Sequence, residues 1–445
     1  MRYIPHTDAD VRAMLEAIGQ RSLADLVAHV PEELRSRARL DLPDGRGEAE
    51  VFGHLVDLAA RNRADLLCFA GAGAYPHFSP AVVDHVVSRS EFATAYTPYQ
   101  PEVSQGTLQA TFEFQSLVAS LFGLEVANAS MYDGSTAMAE AVLMTKRLQP
   151  KSDRVLLAAS LPPEYREVLR AYVAGLPGFE CVEIPYGEDG RVDRAAFGRL
   201  LDPAPAGVVV GYPNFFGVIE DVSAIGRAVH EAGSLLVTVT AESLSLGLLR
   251  APGACGVDIA IGEGQSFGIP LSYGGPYLGL FATRERFIRS MPGRLVGETV
   301  DAHGHRGFVL TLATREQHIR RERATSNICT NQGLCALAAT VFLALAGRRG
   351  LRELADRNAR KARLAIRRIC EAAGAEPLFA APFFNEFAVR LKDARRRHAR
   401  AVDRGVLAGV PLGEWYPALD DALLVCATEL HTASDIDRLA EALRE

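Results

Sequence analysis

The chain has 445 residues, 48% hydrophobic and 23% charged, with a formal net charge of −6. That is enough apolar material for one large α/β domain and a smaller companion. No long run of like charge appears, which argues against a nucleic-acid partner.

Seven cysteines are scattered without any CxxC spacing, so neither a disulfide framework nor a zinc knuckle is indicated, and a reducing cytosol is the expected location. The start, MRYIPHTDAD, has no basic stretch leading into an apolar core and does not read as a signal peptide. No 18-residue apolar stretch is expected to cross a membrane. Only four basic residues are lysines, at 146, 151, 361 and 392; the rest are arginines.

In chain order, residues 1–45 read as a helical arm. Thr7 and Asp10 form a helix start, Gly19 a stop, and Ser22 and Pro31 open two further short helices. A large α/β domain is expected over 46–330. Its apolar runs at 207–211, 235–240, 257–261 and 277–281 alternate with a helical pattern at 221–232, as in βαβ units on a parallel sheet. Residues 331–445 are expected to hold an apolar helix near 331–346 and a second helix over 350–372. A small α/β domain follows, with strands at 384–391 and 423–428 and helices near 394–404 and from 434.

Five segments invite a chemical reading. In NASMYDGSTAMAEA, Asp133, Gly134, Ser135 and Thr136 open a helix, where free N–H groups suit either a phosphate or a simple cap. Gly264-Gln265-Ser266-Phe267-Gly268 matches the nucleophile elbow of serine hydrolases, with Asp301, His303, His305 and His318 as possible partners. Pro270, however, prevents the helix that such an elbow feeds. His303 and His305 flank a glycine, with no third metal ligand at a recognisable spacing, so no metal is expected. The stretch 95–106, AYTPYQPEVSQG, is too proline-rich for helix or central strand. It reads either as a surface loop or as an aromatic, amide-bearing wall of a small polar pocket. ERATSNICTNQ (322–332) opens the long helix, with Thr330 or Asn331 as its cap or as an anion-binding edge.

Several long segments, in one order, carry a resemblance: TAYTPYQPEVSQGTLQATFE, NASMYDGSTAMAEA, IGEGQSFGIPLSYGGPYLG, RGFVLTLATREQHIRRERATSNICTNQ and FFNEFA. They closely resemble the P-protein family of the glycine cleavage system, specifically subunit 1 of its two-subunit glycine decarboxylases. The resemblance implies an α/β fold of the pyridoxal-phosphate (PLP) transferase type, aspartate aminotransferase-like (fold type I), with a mostly parallel large-domain sheet. It implies that PLP is bound covalently by a sister subunit. Gln265 stands where the Schiff-base lysine would be, and Thr240 where an aspartate would hold the pyridine nitrogen. An amide forms no Schiff base and a threonine no ion pair, so this chain's own pocket is expected to be vestigial.

The implied activity is decarboxylation of glycine and passage of the aminomethyl group to the lipoyl arm of the H-protein, in a dimer of heterodimers. Tyr96, Tyr99 and Gln100 are expected against glycine and the lipoyl arm, and Thr330 and Asn331 toward the PLP phosphate. The competing readings are a purely structural partner for the PLP-bearing subunit and, less readily, a hydrolase using Ser266.

Overall fold

Uninterrupted apolar runs such as VVV and LLV belong to strands covered on both faces, because a strand with one wet face would alternate. The computed structural model describes residues 5–38 and 41–444; the first four residues of the segment read for a signal peptide lie outside these. Seven strands form one sheet in the order Val126–Ala127, Gly279–Thr283, Ile259–Glu263, Leu235–Thr240, Gly207–Gly211, Arg154–Ala158, Glu180–Ile184. The last five in that order run parallel. Every residue of Gly207–Gly211, Leu235–Thr240 and Ile259–Glu263 is buried.

The strand expected at 277–281 lies two residues later and runs antiparallel to Ile259–Glu263. Its connection, 264–278, contains no helix, and without a crossover element the chain can only turn back. Helix Val222–Glu231, capped by Asp221 on the Ala224 N–H at 3.2 Å, supplies the crossover between Gly207–Gly211 and Leu235–Thr240. Helix Gly134–Leu148 is buried on nearly all sides, with Ala137, Met138, Ala141, Val142 and Met144 fully enclosed. Its small and flexible side chains suit close approach to the sheet.

Over Gly333–Ala373 two helices meet at a kink at Gly347, whose φ of 56° and ψ of −176° are not helical. The apolar helix and the second helix expected there are these two helices, separated at Gly347. An 18-residue window of this stretch has a mean hydropathy of 1.5, but it runs across the bend at Gly347 and takes in Arg348 and Arg349. Ala336, Ala339, Phe342 and Leu343 from it pack in the main core, as the core helix of a folded domain does. The C-terminal strands Glu376–Pro377, Glu386–Arg390, Ala422–Cys426 and Val410–Pro411 form a four-stranded antiparallel sheet in that order. Helices Ala394–Asp403 and Ala433–Ala442 accompany it.

The chain divides into a unit ending at Ala64 and one beginning at Asp65, so helix Glu48–Ala59 goes with the arm rather than with the large domain. Within the arm, Thr7 and Asp10 make the expected reciprocal cap, as do Ser22 and Asp25. Helix Glu48–Ala59 buries no residue. Val51, Phe52, Leu55 and Val56 are all exposed on it, Phe52 by 70%.

Candidate functional site

The two polar segments singled out by sequence meet at a residue that sequence reading missed. Arg294 precedes strand Leu295–Val300 and is 4% exposed. Its guanidinium donates to Thr97 Oγ1 and Thr330 Oγ1 (both 3.3 Å), to Tyr99 Oη (3.4 Å) and to the Cys329 carbonyl (2.6 Å). It also lies 5.6 Å from the centre of the Tyr99 ring, and its Nε is 3.9 Å from Glu316. One side chain therefore ties the 97–99 loop to the 329–330 segment. Beside it is a cavity of about 70 Å³, whose lining includes Tyr96, Pro98, Ala129, Arg294 and Asn331.

Arginine has donors only. Each hydroxyl oxygen it touches must accept, and each hydroxyl proton is left to point elsewhere. Arg294 thus presents Thr97, Tyr99 and Thr330 as oriented O–H donors.

Tyr96 is 84% exposed and Tyr99 59%, unusual for aromatic rings on an otherwise well-packed body. Gln100 is exposed at the head of the turn Pro101–Val103 and does not line the cavity. Neither Thr330 nor Asn331 caps the long helix. Its cap position is Gln332, which makes no side-chain bond; the Gln332 N–H is satisfied instead by Ser130 Oγ at 3.0 Å. Asn331 donates from Nδ2 to the Ala129 carbonyl at 2.9 Å, which leaves its Oδ1 available.

At the carboxyl ends of the parallel strands the picture is different. Gln265 is 2% exposed and its amide is fully engaged. Oε1 accepts from the Tyr75 N–H at 2.9 Å, and Nε2 donates to the Tyr75 and Ile269 carbonyls at 3.0 and 2.8 Å. Thr240 Oγ1 is buried with no hydrogen-bond partner, and it can supply no charge to a pyridinium. The remaining cavity here, lined by Tyr75, Glu242, Asn385 and Glu386 among others, is about 10 Å³, room for about one water. These residues do not fit PLP.

Around that closed pocket sits a buried polar network. His77 faces Glu242 through Nε2 (2.9 Å) and Glu429 through Nδ1 (2.8 Å). Burial works against its charged form, but the two carboxylates outweigh this and raise its pKa to about 9. Glu386 accepts from the Ala72 N–H (2.6 Å) and the Tyr75 hydroxyl (3.0 Å), while burial pushes its carboxyl up to about 8.

The hydrolase alternative fails on geometry. Ser266 Oγ is buried and has no hydrogen-bond partner, whereas an activated serine needs a base in reach. Asp301 is occupied in a hairpin tip, accepting from the N–H groups of His303 and His305 at 2.8 Å each. No group of three or more metal-ligating side chains occurs among the described residues. Ser266→Ala is expected to fold with near-wild-type stability, because the hydroxyl it removes makes no hydrogen bond. Stoichiometric labelling of Ser266 by a fluorophosphonate would revive the hydrolase.

Comparison with known proteins places this architecture. The sequence model of a family described as "Glycine cleavage system P-protein" matches residues 1–443. A protein named probable glycine dehydrogenase (decarboxylating) subunit 1 from Anaeromyxobacter dehalogenans (strain 2CP-C) is 53% identical over 447 residues, covering 100% of both chains. Its namesake from Carboxydothermus hydrogenoformans is 49% identical over 445 residues, covering 100% of this chain and 99% of that one. A solved glycine decarboxylase (P-protein) of the glycine cleavage system, in inhibitor-bound form, superposes with a TM-score of 0.90 at 45% identity. The match covers 100% of this chain and 99% of that one. A sphingosine-1-phosphate lyase from Burkholderia pseudomallei shares the fold alone, with a TM-score of 0.65 at 16% identity over 94% of each chain. The fold is that of fold type I PLP enzymes, and the chain belongs to the glycine cleavage system P-protein family.

Proposed function

We propose that this chain is the subunit of a two-subunit glycine decarboxylase that lacks the PLP lysine. In this reading it acts with a sister subunit that holds PLP covalently, decarboxylating glycine and passing the aminomethyl group to the lipoyl arm of an H-protein. The observation that carries this reading is the convergence of the 97–99 and 329–330 segments on Arg294 beside a cavity, while the chain's own fold pocket is closed. A machinery of outward-facing donors on a body without its own lysine suits the wall of a neighbour's active site.

PLP supplies the electron sink when bound to the sister. This chain's task is to hold glycine. Tyr96, Tyr99 and Gln100 would face the substrate and lipoyl arm, and Thr330 and Asn331 the cofactor's phosphate. Glycine has no side chain, so its carboxylate is the main handle, and departure of CO2 is favoured when that carboxylate is not stabilised by a direct ion pair. Hydroxyl donors backed by a buried guanidinium meet that need better than an exposed arginine.

The exposed apolar side chains Val51, Phe52, Leu55 and Val56 of helix Glu48–Ala59 agree with burial against a partner. A dimer of heterodimers in the cytoplasm, where seven free cysteines stay reduced, completes the proposal.

The test is Tyr96→Phe, Tyr99→Phe and Gln100→Ala, each assayed with wild-type sister for glycine-dependent CO2 exchange and for complex formation. Exchange should fall about ten- to a thousandfold with assembly intact, the scale of one well-placed donor. Near-wild-type exchange in all three would leave this chain a structural partner only.

A further inference from the structure

The helix N-terminus at 133–136 has the form of a phosphate cradle, yet a carboxyl group already fills it. Glu263 ends strand Ile259–Glu263 and is 2% exposed. Its Oε2 accepts from the Gly134 N–H at 2.9 Å. Its Oε1 accepts from the N–H groups of Leu278 at 2.8 Å and Gln265 at 3.0 Å. Three backbone donors from three segments converge on one carboxyl group, which is the arrangement that binds oxyanions.

We infer that Glu263 is a built-in carboxyl group that fills this subunit's cradle and closes it to phosphorylated cofactors. Two further features support it. Asp133 takes the Thr136 N–H at 2.8 Å, so the first turn of helix Gly134–Leu148 already faces two carboxyl groups. A phosphate arriving there would find its space filled and no free Gly134 N–H. Gly134 itself is hemmed in by the Tyr165 hydroxyl and ring, which a Cβ would strike, so the backbone is held against Glu263.

The inference is independent of how the chain serves its sister. Two locks, not one, keep cofactor out: Gln265 removes the covalent anchor, and Glu263 occupies the phosphate's place. Restoring a lysine at 265 would therefore not be enough.

The test uses the full-length chain with inorganic phosphate as probe, titrated by calorimetry against chloride of matched ionic strength. Wild type and Glu263→Gln, whose side chain still fills the cradle, should show no saturable binding at millimolar phosphate. Glu263→Ala should bind phosphate at least tenfold more tightly than wild type, with acetate competing. Wild type binding as tightly as Glu263→Ala, or a folded Glu263→Ala that binds none, would overturn the inference. If Glu263→Ala does not fold, refolding restored by phosphate or acetate but not chloride would support it. Failure of both anions to restore folding, or phosphate binding by Glu263→Gln, would overturn it.

Discussion

Arg294→Ala should lower kcat/KM for glycine by about a hundredfold or more in the assembled enzyme, because it disorients three hydroxyl donors together. The side chain bridges Thr97, Tyr99, Thr330 and the Cys329 carbonyl, and no other described residue bonds the same set. Its loss also leaves Glu316, 8% exposed, without the cation 3.9 Å away. Part of the effect will therefore appear as lower stability, on the order of 1–3 kcal/mol for a buried charge-assisted contact. Two readouts separate positioning from unfolding. Guanidinium added to Arg294→Ala should restore some turnover without changing complex formation. Arg294→Lys, which keeps charge but not the fork, should fold normally and still lose most of kcat, since one ammonium cannot reach four acceptors in fixed directions. Full activity in Arg294→Lys would reject an orienting role.

What the sequence disclosed and what it hid divide along physical lines. The strands Gly207–Gly211 and Leu235–Thr240 stand where their apolar runs put them, because burial on both faces writes itself into consecutive residues. The caps at Thr7 and Ser22 are local, and locally visible. The direction of Gly279–Thr283 was not, since pairing sense depends on how the chain returns rather than on the strand's own residues. Tyr99 and Thr330 stood out as members of polar, irregular segments. Arg294, almost 200 residues from Tyr99 in sequence, carried no local mark, because its partners are defined only by the fold. Glu263 was equally silent: a glutamate closing an apolar strand reads as a strand end until Gly134 and Leu278 are seen to face it. The reading of residues 133–136 as phosphate site or cap resolves toward a cap with a second, internal carboxyl group.

His77→Ala should be the most destabilising single change around the closed pocket. His77, with its side chain only 3% exposed, stands between Glu242 and Glu429. Removing one member of a buried ion network leaves its partners unpaired, at a cost of about 3–5 kcal/mol. Here two carboxylates would then share a site with Asn385, which donates to Glu242 at 3.0 Å.

The same network sets the sign of the pH response. The His77 pKa is raised from 6.5 to about 9 on folding, so its contribution is complete below about pH 6.5 and is lost as pH rises through about 9. Burial likewise raises Glu386 and Glu263 from 4.5 to about 8. Each binds its proton more tightly in the folded chain, so stability falls as pH climbs from about 4.5 to about 8. Both effects point the same way. The melting temperature of the wild-type chain should be several degrees lower at about pH 9 than at about pH 6. His77→Gln, uncharged at both, should show a smaller drop from a lower starting point. A melting temperature that holds or rises across that interval, or an identical drop in His77→Gln, would mean that the imidazole is not the charged centre of this network.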